Sequence, residues 1–357
     1  MKSKIIYSLI ILVFGVISPL QARSPHRPQD PTMPALTTRW TKDSRQHIIK
    51  SYYLQEYPLF EIFDYDHFFA NYLPIGKISY RYNPEQTVNG SVIAHLIDEV
   101  VEEINQKKRL HKLKRADEFK HFTILRKRNF NRREKCGFLI LKCKEYPFIV
   151  KLSIETPESF TQPFKKGFEP SIFFIMAGGI NRHLSGFTRI KNANHVRQCI
   201  ANETLPVEFD IPRKWFYVPQ NSKWIELAGS NIGKNRTIRT EIPGTYCIVA
   251  DAIDYERKFT LLSNEDCVVS MQLCNLINFS IDPHIDNFLL EKHTGKIVIV
   301  DTEHFPSITG LTNVNGVYTS QLHWYYDLSI KCINDMFLRD KQTRKHIQQH
   351  GTHHFNL

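Results

Sequence analysis

The stretch Ile281–Phe305, which reads IDPHIDNFLLEKHTGKIVIVDTEHF, decides the predicted fold. A polar loop opens it, and two short strand-like runs follow, NFLLE and KIVIV, joined by KHTG. Gly295 supplies the turn, so the two runs should form a tight β-hairpin. A hairpin brings the start of its first strand beside the end of its second. We therefore expect Asn287 and Asp301 to lie close together, with Asp282 at the mouth of the loop.

The polar residues of this stretch suit phosphoryl transfer, in which a protein holds Mg²⁺ against phosphates and orients an acceptor hydroxyl. Mg²⁺ prefers hard oxygen ligands and usually takes one or two carboxylates. Asn287 and Asp301 fit that role. A carboxylate or imidazole facing the acceptor can orient it or accept its proton, and Asp282 and His284 fit that role. Glu303 is either a further metal ligand or a solvated turn carboxylate.

An upstream region alternates between apolar and polar residues, which predicts β-strands. Three strands joined by short connections form an antiparallel meander, and two more strands follow it. The third strand, FIVKLSI, carries Lys151 in its centre. The five predicted strands cover residues 122–128, 137–144, 147–154, 214–219 and 245–253.

Together these motifs resemble those of protein kinases. The spacing from Asp282 to Asn287 matches the D-x-x-x-x-N of the kinase catalytic loop, and Asp301 falls where the Asp of D-F-G falls. The wording is most similar to that of the phosphoinositide 3-/4-kinases, which read D-R-H-x-x-N and I-D-F-G-H-F. This chain reads DPHIDN at 282–287 and VDTEHF at 300–305.

The resemblance implies an ATP- and Mg²⁺-dependent phosphotransferase, an atypical kinase acting on a hydroxyl of a protein, a lipid or a small molecule. It implies that Asp282 and His284 are catalytic and serve the acceptor. It also implies that Asn287 and Asp301 hold Mg²⁺.

The same resemblance implies a nucleotide site on the predicted strands. Lys151 would contact the ATP phosphates, in the setting of the kinase V-A-I-K motif. Its acidic partner would be Glu169, or else Glu158. Residues 247–253 would form the hinge that takes the adenine through backbone groups.

The implied fold is α+β and two-lobed, protein-kinase-like, with an antiparallel β N-lobe and a mainly helical C-lobe. The helical part rests on helices predicted at about 264–278 and 320–340. The 357 residues divide into a signal peptide (1–22), a Pro-rich linker (23–38), an N-terminal extension with an amphipathic helix (39–118), a kinase-like N-lobe and hinge (119–253), a small C-lobe (254–345) and a tail (346–357).

The N-terminus predicts export. Lys2 and Lys4 precede an apolar run of signal-peptide length, which ends near the small residue Ala22. Cleavage there gives a secreted or exported chain, whereas an uncleaved run would anchor it to a membrane. We expect no transmembrane segment in the mature chain, because no other stretch is apolar for long enough.

The charge of the chain favours anionic partners. The net charge is +11 and the isoelectric point is about 9.2. Apolar residues between Ile93 and Ile104 recur at helical spacing, and this predicted helix runs into the basic stretch 107–115. That stretch is either a solvated face or a contact for an anionic surface, such as a membrane or nucleic acid.

Departures from the kinase pattern keep other interpretations open. No G-x-G-x-x-G lies between the first two strands, and Thr302 and Glu303 replace the Phe and Gly of D-F-G. An exported pseudokinase serving as a binding module is therefore the first alternative. A metal-dependent hydrolase is less favoured, and a basic nucleic-acid or membrane-surface binder is the last. The hydrolase would place on one metal the side chains of Asp282, His284, Asp286 and Asp301.

Overall fold

The structure, a computed structural model, describes residues 34–50, 62–109, 118–128, 137–161, 183–203, 205, 207–232, 235–305, 316–331 and 334. These residues form four β-sheets and several α-helices. The strands are β1 (Ala35–Trp40), β2 (His47–Lys50), β3 (Lys77–Ser79), β4 (Thr87–Asn89), β5 (Phe122–Arg128), β6 (Gly137–Cys143), β7 (Phe148–Ile154), β8 (Phe209–Asp210), β9 (Lys214–Tyr217), β10 (Trp224–Ile232), β11 (Asn235–Pro243), β12 (Thr245–Asp251), β13 (Tyr255–Lys258), β14 (Phe288–Glu291) and β15 (Ile297–Ile299). The helices are α1 (Tyr65–Ala70), α2 (Gly90–Arg109), α3 (Thr188–Ala201), α4 (Asn264–Leu276) and α5 (321–331).

A five-stranded antiparallel sheet, in the order β5-β6-β7-β12-β9, occupies the centre of the chain. The strands predicted over 122–154 are confirmed as its first three members. Alternate residues of β7, such as Val150 and Leu152, are buried against the apolar face of α2, which includes Ile97 and Val100. The amphipathic helix expected from the sequence therefore covers one face of this sheet.

The opposite face of the sheet carries two lysines, Lys151 and Lys214. Lys151 on β7 pairs with Ile248 on β12, and Ile248 pairs with Phe216 on β9. Residues directly opposite in a sheet share a face, as do residues two apart in one strand. Lys151 and Lys214 therefore lie on the face that is turned away from α2.

A second antiparallel sheet, in the order β11-β10-β1-β2, packs near that opposite face. Its Leu36 and Ile225 share an apolar cluster with Phe216 and Tyr246 of the five-stranded sheet. Residues 35–38, the end of the predicted linker, belong to β1, which pairs with β10 from Ala35↔Ser230 onward. The two ends of this sheet come from distant parts of the sequence.

The third sheet, in the order β13-β14-β15-β8, contains the hairpin expected within Ile281–Phe305. Its core lies against α3, α4 and α5, where Phe279, Phe288 and Trp324 are buried together. The strands β3 and β4 form a separate two-stranded sheet. The hairpin is thereby fixed to helices on one side and to β8 on the other.

The predicted fold class, a two-lobed protein-kinase-like fold with a mainly helical C-lobe, is wrong. The described chain is mostly antiparallel β-sheet, and strand β13 lies beside the expected hairpin strands β14 and β15 within residues 254–345, a region expected to be mainly helical. The strands β10 and β11 pair along their length, although neither was expected. The helices predicted at 264–278 and 320–340 are represented by α4 and α5, but they pack on a sheet.

Several predicted features lie outside the described residues. These are the signal peptide, most of the basic stretch, Glu169 and the C-terminal tail, at 1–22, 110–115, 169 and 346–357. Within the part of the chain that the structure describes, no helix combines the length and apolar character needed to cross a bilayer.

Candidate functional site

The hairpin brings the polar loop and the acidic segment together as expected. Strand β14 pairs with β15 from Phe288↔Ile299, and Gly295 in the turn has φ of 69°, a conformation that favours glycine. The backbone N–H of Val300 donates to the carbonyl of Asn287 at 3.0 Å. A bridge between Ile281 and His304 continues the pairing beyond the strands. The loop and residues 301–304 therefore face each other.

The loop is held by its own hydrogen bonds. The backbone N–H of His284 donates to Oδ1 of Asp282 at 3.1 Å, and Nδ2 of Asn287 donates to the carbonyl of Asp282 at 3.0 Å. His284 caps the short turn Ile285–Asn287 through Nδ1, which accepts from the N–H of Asp286 at 3.3 Å. The amide nitrogen of Asn287 is thus engaged, which leaves its oxygen as the atom suited to a cation.

Lys151 and Asp301 meet directly. Nζ of Lys151 lies 2.8 Å from Oδ2 of Asp301, although 150 positions separate them in sequence. The two side chains are 22% and 25% exposed, so the pair is reachable from solvent. Glu169, the predicted partner of Lys151, lies outside the described residues, and the other candidate, Glu158, forms surface pairs with Arg45 and His47 instead.

Arg189, in the first turn of α3, joins this pair and was not anticipated from the sequence. Its Nε donates to Oδ1 of Asp301 at 3.0 Å, and its Nη2 lies 2.9 Å from Oε2 of Glu303. The hydroxyl of Ser185 also donates to Glu303. Glu303 is therefore not the solvated turn carboxylate that was one alternative for it, because it is paired with an arginine and only 17% exposed, and its role as a further metal ligand stays a prediction.

Lys214 is the second residue that sequence reasoning missed. Its buried Nζ donates to Oγ1 of Thr302 at 2.7 Å and to the carbonyl of Val300 at 3.3 Å. Oγ1 of Thr302 donates in turn to the carbonyl of Arg189 at 2.7 Å. The strand register of the folded sheet places Lys214 on the same face as Lys151, and no spacing in the sequence indicates that register.

Asn192 on α3 ties the two halves of the site together. Its Nδ2 donates to the carbonyl of Ser280 at 2.9 Å and to the carbonyl of Thr302 at 3.1 Å. The side chain is buried, so water does not compete well for these bonds. One amide therefore fixes the residue before the loop relative to the acidic segment.

The carboxylate of Asp301 stays ionised. Burial raises its pKa, but the positive charges of Arg189 and Lys151 outweigh burial and hold the pKa well below the ordinary value of 3.8. Burial lowers the pKa of the Lys151 amine, and Asp301 opposes that shift. Burial also depresses the pKa of Lys214, with repulsion from Lys151 adding to it.

Asp282 has the opposite electrostatic character. Burial raises its pKa above the ordinary value of 3.8, and the negative charge of Asp301 adds to this effect. His284 and a hydrogen bond from the Tyr325 hydroxyl act in the other direction. That hydroxyl donates to Oδ1 of Asp282 at 2.8 Å. The pKa values of these two neighbouring carboxyl groups are thus shifted in opposite directions. Asp301 is kept ionised, and Asp282 is made easier to protonate.

A cation would find few but suitable ligands here. Among the described residues, no group of three or more His, Cys, Asp or Glu side chains could hold a metal ion. A Mg²⁺ site does not need three such side chains, because Mg²⁺ is commonly held by one or two protein oxygens together with substrate phosphates. The ionised Asp301 and the amide oxygen of Asn287, on facing segments of one hairpin, fit that donor set.

No protein-family model matches the chain, and no curated protein and no solved structure matches it either. The assignment of a function therefore depends on the contacts of Lys151, Asp282 and Asp301.

Proposed function

We propose that the chain binds Mg·ATP at the cluster around Lys151 and Asp301 and transfers its terminal phosphoryl group to a hydroxyl acceptor. The contact of 2.8 Å between Lys151 Nζ and Asp301 Oδ2 carries this proposal. It places an amine suited to phosphate beside a carboxylate suited to Mg²⁺, next to a loop with a second carboxyl group. Positioning and charge stabilisation are what phosphoryl transfer chiefly asks of a protein.

Each side chain has a definite task in this proposal. Lys151 contacts the phosphates, and Asp301 with the Asn287 oxygen holds the metal. When bound, Mg²⁺ would neutralise negative charge on the phosphates. Asp282 orients the acceptor hydroxyl, with its own position fixed by His284 and Tyr325. His284 is half-exposed beside Asp282, where an acceptor could reach it.

The transfer step follows from these tasks. The acceptor oxygen forms a bond to the terminal phosphorus of ATP, and the bond from that phosphorus to its bridging oxygen breaks. ADP leaves with the electron pair of the broken bond. The acceptor proton passes to Asp282, whose raised pKa makes it a better proton acceptor near neutral pH.

The cellular setting is part of the same proposal. The N-terminal run 1–22 directs the chain to export, or anchors it if it stays uncleaved. The acceptor is a hydroxyl of a protein, a lipid or a small molecule. The basic stretch 107–115 would hold the chain near an anionic surface.

The proposal is tested by replacing Asp301 with asparagine, which preserves shape and removes the charge. We expect the wild type to form ADP from Mg·ATP when serine peptides, inositol lipids in vesicles and sugars are supplied as acceptors. Asp301→Asn should lose this activity, because Mg²⁺ loses its charged ligand. The control is Asp254→Asn, an exposed carboxylate just before β13 that pairs at 2.8 Å with His293 in the turn between β14 and β15. Equal turnover by Asp301→Asn and the wild type would refute the assignment.

A binding module without transfer is the second candidate. One observation favours it, because both oxygens of Asp301 are already engaged, by Lys151 and by Arg189. If these bonds persist with nucleotide present, Asp301 cannot hold Mg²⁺, and the chain binds ATP without transferring its phosphoryl group. Saturable nucleotide binding with no turnover on any acceptor, and with no dependence of affinity on Mg²⁺, would select this candidate.

A further inference from the structure

We propose that Arg189 is a phosphate-binding residue of this site and that Glu303 is the residue that positions it. This inference rests on the proposed function, since it names the group that shares the nucleotide phosphates with Lys151. The arginine was not anticipated from the sequence, and the glycine-rich loop that binds phosphates in kinases is not found between the first two predicted strands.

The backbone around Arg189 is fixed to the acidic segment. Oγ1 of Thr302 donates to the carbonyl of Arg189 at 2.7 Å, and the N–H of His304 donates to Oγ1 of Thr188 at 2.9 Å. These two hydrogen bonds therefore hold the start of α3 against residues 301–304. Any ligand that reaches Asp301 comes within range of the Arg189 guanidinium, which contacts that carboxylate at 3.0 Å.

Glu303 holds one edge of the guanidinium independently of Asp301. Nη2 of Arg189 lies 2.9 Å from Oε2 of Glu303, and the Ser185 hydroxyl fixes the other carboxylate oxygen. The arginine is 13% exposed and Glu303 is 17% exposed, so the ion pair is only partly screened by water. If Asp301 turns to a metal, Arg189 stays in place through Glu303, with its Nε donor released.

The positive charge around Asp301 favours binding of an anion once a cation is bound there. Lys151 and Arg189 both pair with Asp301, Arg189 also pairs with Glu303, and Lys214 lies on the same sheet face as Lys151. A cation bound at Asp301 would add positive charge to this cluster. The phosphates of a nucleotide supply the compensating negative charge, and the planar fork of arginine suits phosphate oxygens better than a lysine does.

The test compares Mg·ATP with adenosine as probes, because only the first has phosphates. We expect Arg189→Met to weaken Mg·ATP binding by about tenfold or more, the worth of a charge-assisted hydrogen bond, and to leave adenosine binding unchanged. The control Lys191→Met removes a positive charge from an exposed position of the same helix and should change neither affinity. A purely structural role for Arg189 would lower both affinities together.

The outcomes are separable. If the wild type binds adenosine but shows no gain for Mg·ATP, the proposed function fails and this inference fails with it. If the wild type prefers Mg·ATP and Arg189→Met keeps that preference, the inference alone is overturned. Should Arg189→Met not melt cooperatively, Arg189→Lys replaces it, with a severalfold loss of Mg·ATP affinity expected and unchanged affinity contradicting the inference.

The positioning role of Glu303 has its own measurement. Glu303→Gln should weaken Mg·ATP binding less than Arg189→Met does, since the guanidinium remains but is no longer held. The double variant should bind Mg·ATP as weakly as Arg189→Met alone, because both changes act through one group. Additive losses in the double variant would show that Glu303 does not act through Arg189.

Discussion

At the scale of single residues, we expect the hydrogen bond from Tyr325 to Asp282 to affect how turnover depends on pH. The bond lowers the pKa of Asp282, against burial, which raises it. If Asp282 accepts the acceptor proton, activity falls as pH drops through its pKa. Tyr325→Phe removes the bond, so the pKa rises and the acid limb of the rate profile moves to higher pH. Turnover measured from pH 4 to 8 checks this prediction.

The control for that variant is the neighbouring tyrosine. Tyr326 follows in α5 and is exposed, so Tyr326→Phe should leave the acid limb where it is in the wild type. An acid limb that stays in place in Tyr325→Phe would remove Asp282 from the proton transfer, even if overall turnover fell.

Gly186 offers a second prediction at this scale, because its lack of a side chain makes room for Tyr246. A Cβ at position 186 would lie 1.9 Å from the Tyr246 hydroxyl oxygen and 3.2 Å from Nη1 of Arg189. Tyr246 is buried, so it cannot swing into solvent. We expect Gly186→Ala to destabilise the fold by about 1–3 kcal/mol, the usual cost of overpacking. Urea unfolding measures the change.

Gly76 is the matched control for this substitution. A Cβ at Gly76 meets nothing within 4 Å, so Gly76→Ala should leave the free energy of unfolding almost unchanged. Equal stability of the two variants would mean that Tyr246 and Arg189 are not packed against position 186 as the structure has them.

The residues of the site differ in how visible they were in the sequence. Asp282, Asn287 and Asp301 share one short stretch with a turn signal, so their proximity could be predicted from hairpin geometry. Arg189 and Lys214 lie far from that stretch, and no spacing connects them to it. Only the strand register and the placement of α3 bring them together, and those depend on tertiary packing.

At the scale of elements, Glu291 at the end of β14 anchors the hairpin to residues near β3. The side chain is fully buried, and it accepts from Nε of Arg81 at 2.7 Å and from the Tyr82 hydroxyl at 2.6 Å. Glu291→Gln removes one of the two carboxylates that pair with Arg81, and the pair with Asp210 at 2.5 Å remains. We expect a loss of about 3 kcal/mol in the free energy of unfolding, the lower end of the range for breaking a buried ion pair, because Arg81 keeps one carboxylate.

The comparison for this variant is an exposed ion pair of the same sheet. Glu208 contacts Lys296 at 2.7 Å with its side chain mostly exposed, so Glu208→Gln should change stability little. Urea unfolding of both variants decides the matter. A loss in Glu291→Gln no larger than in Glu208→Gln would contradict the anchoring role.

We also expect Glu291 to affect how the stability of the fold depends on pH. Burial raises the pKa of Glu291, but hydrogen bonds from Arg81, Thr294 and Tyr82 outweigh it and hold the pKa below its ordinary value of 4.5. A lowered pKa in the folded state stabilises the fold above the ordinary value, and this contribution is lost as pH falls through the lowered pKa. Melting temperatures between pH 7 and 3 should therefore fall more steeply in the wild type than in Glu291→Gln. Parallel slopes would contradict this.

Elements were predictable where the burial pattern matched a single period. The strand β7 alternates strictly between buried and half-buried residues, and its prediction from apolar alternation is confirmed. Strand β13 has four exposed residues in succession, so no apolar alternation marks it. Strand β10 contains Gly229 and Ser230, residues that are more typical of a loop than of a strand, so the sequence does not indicate a strand there.

At the scale of the whole molecule, the sheet β11-β10-β1-β2 explains why the fold class could not be derived from the sequence. Its central pairing joins Ala35 to Ser230 and Trp40 to Ile225, contacts that no local pattern specifies. The helices predicted near the C-terminus are confirmed over 264–276 and 321–331, but the sequence does not indicate that they cover a sheet containing β8, β14 and β15. Local structure was therefore more predictable than architecture.

The most direct test of the nucleotide site is the binding of Mg·ATP to the wild type and to Lys151→Met, measured by titration calorimetry. The proposed site requires saturable binding by the wild type. It also requires a loss of about tenfold or more in Lys151→Met, because the amine that lies 2.8 Å from Asp301 is the proposed phosphate contact. Wild-type heats no different from those of buffer, or an affinity unchanged in Lys151→Met, would contradict it.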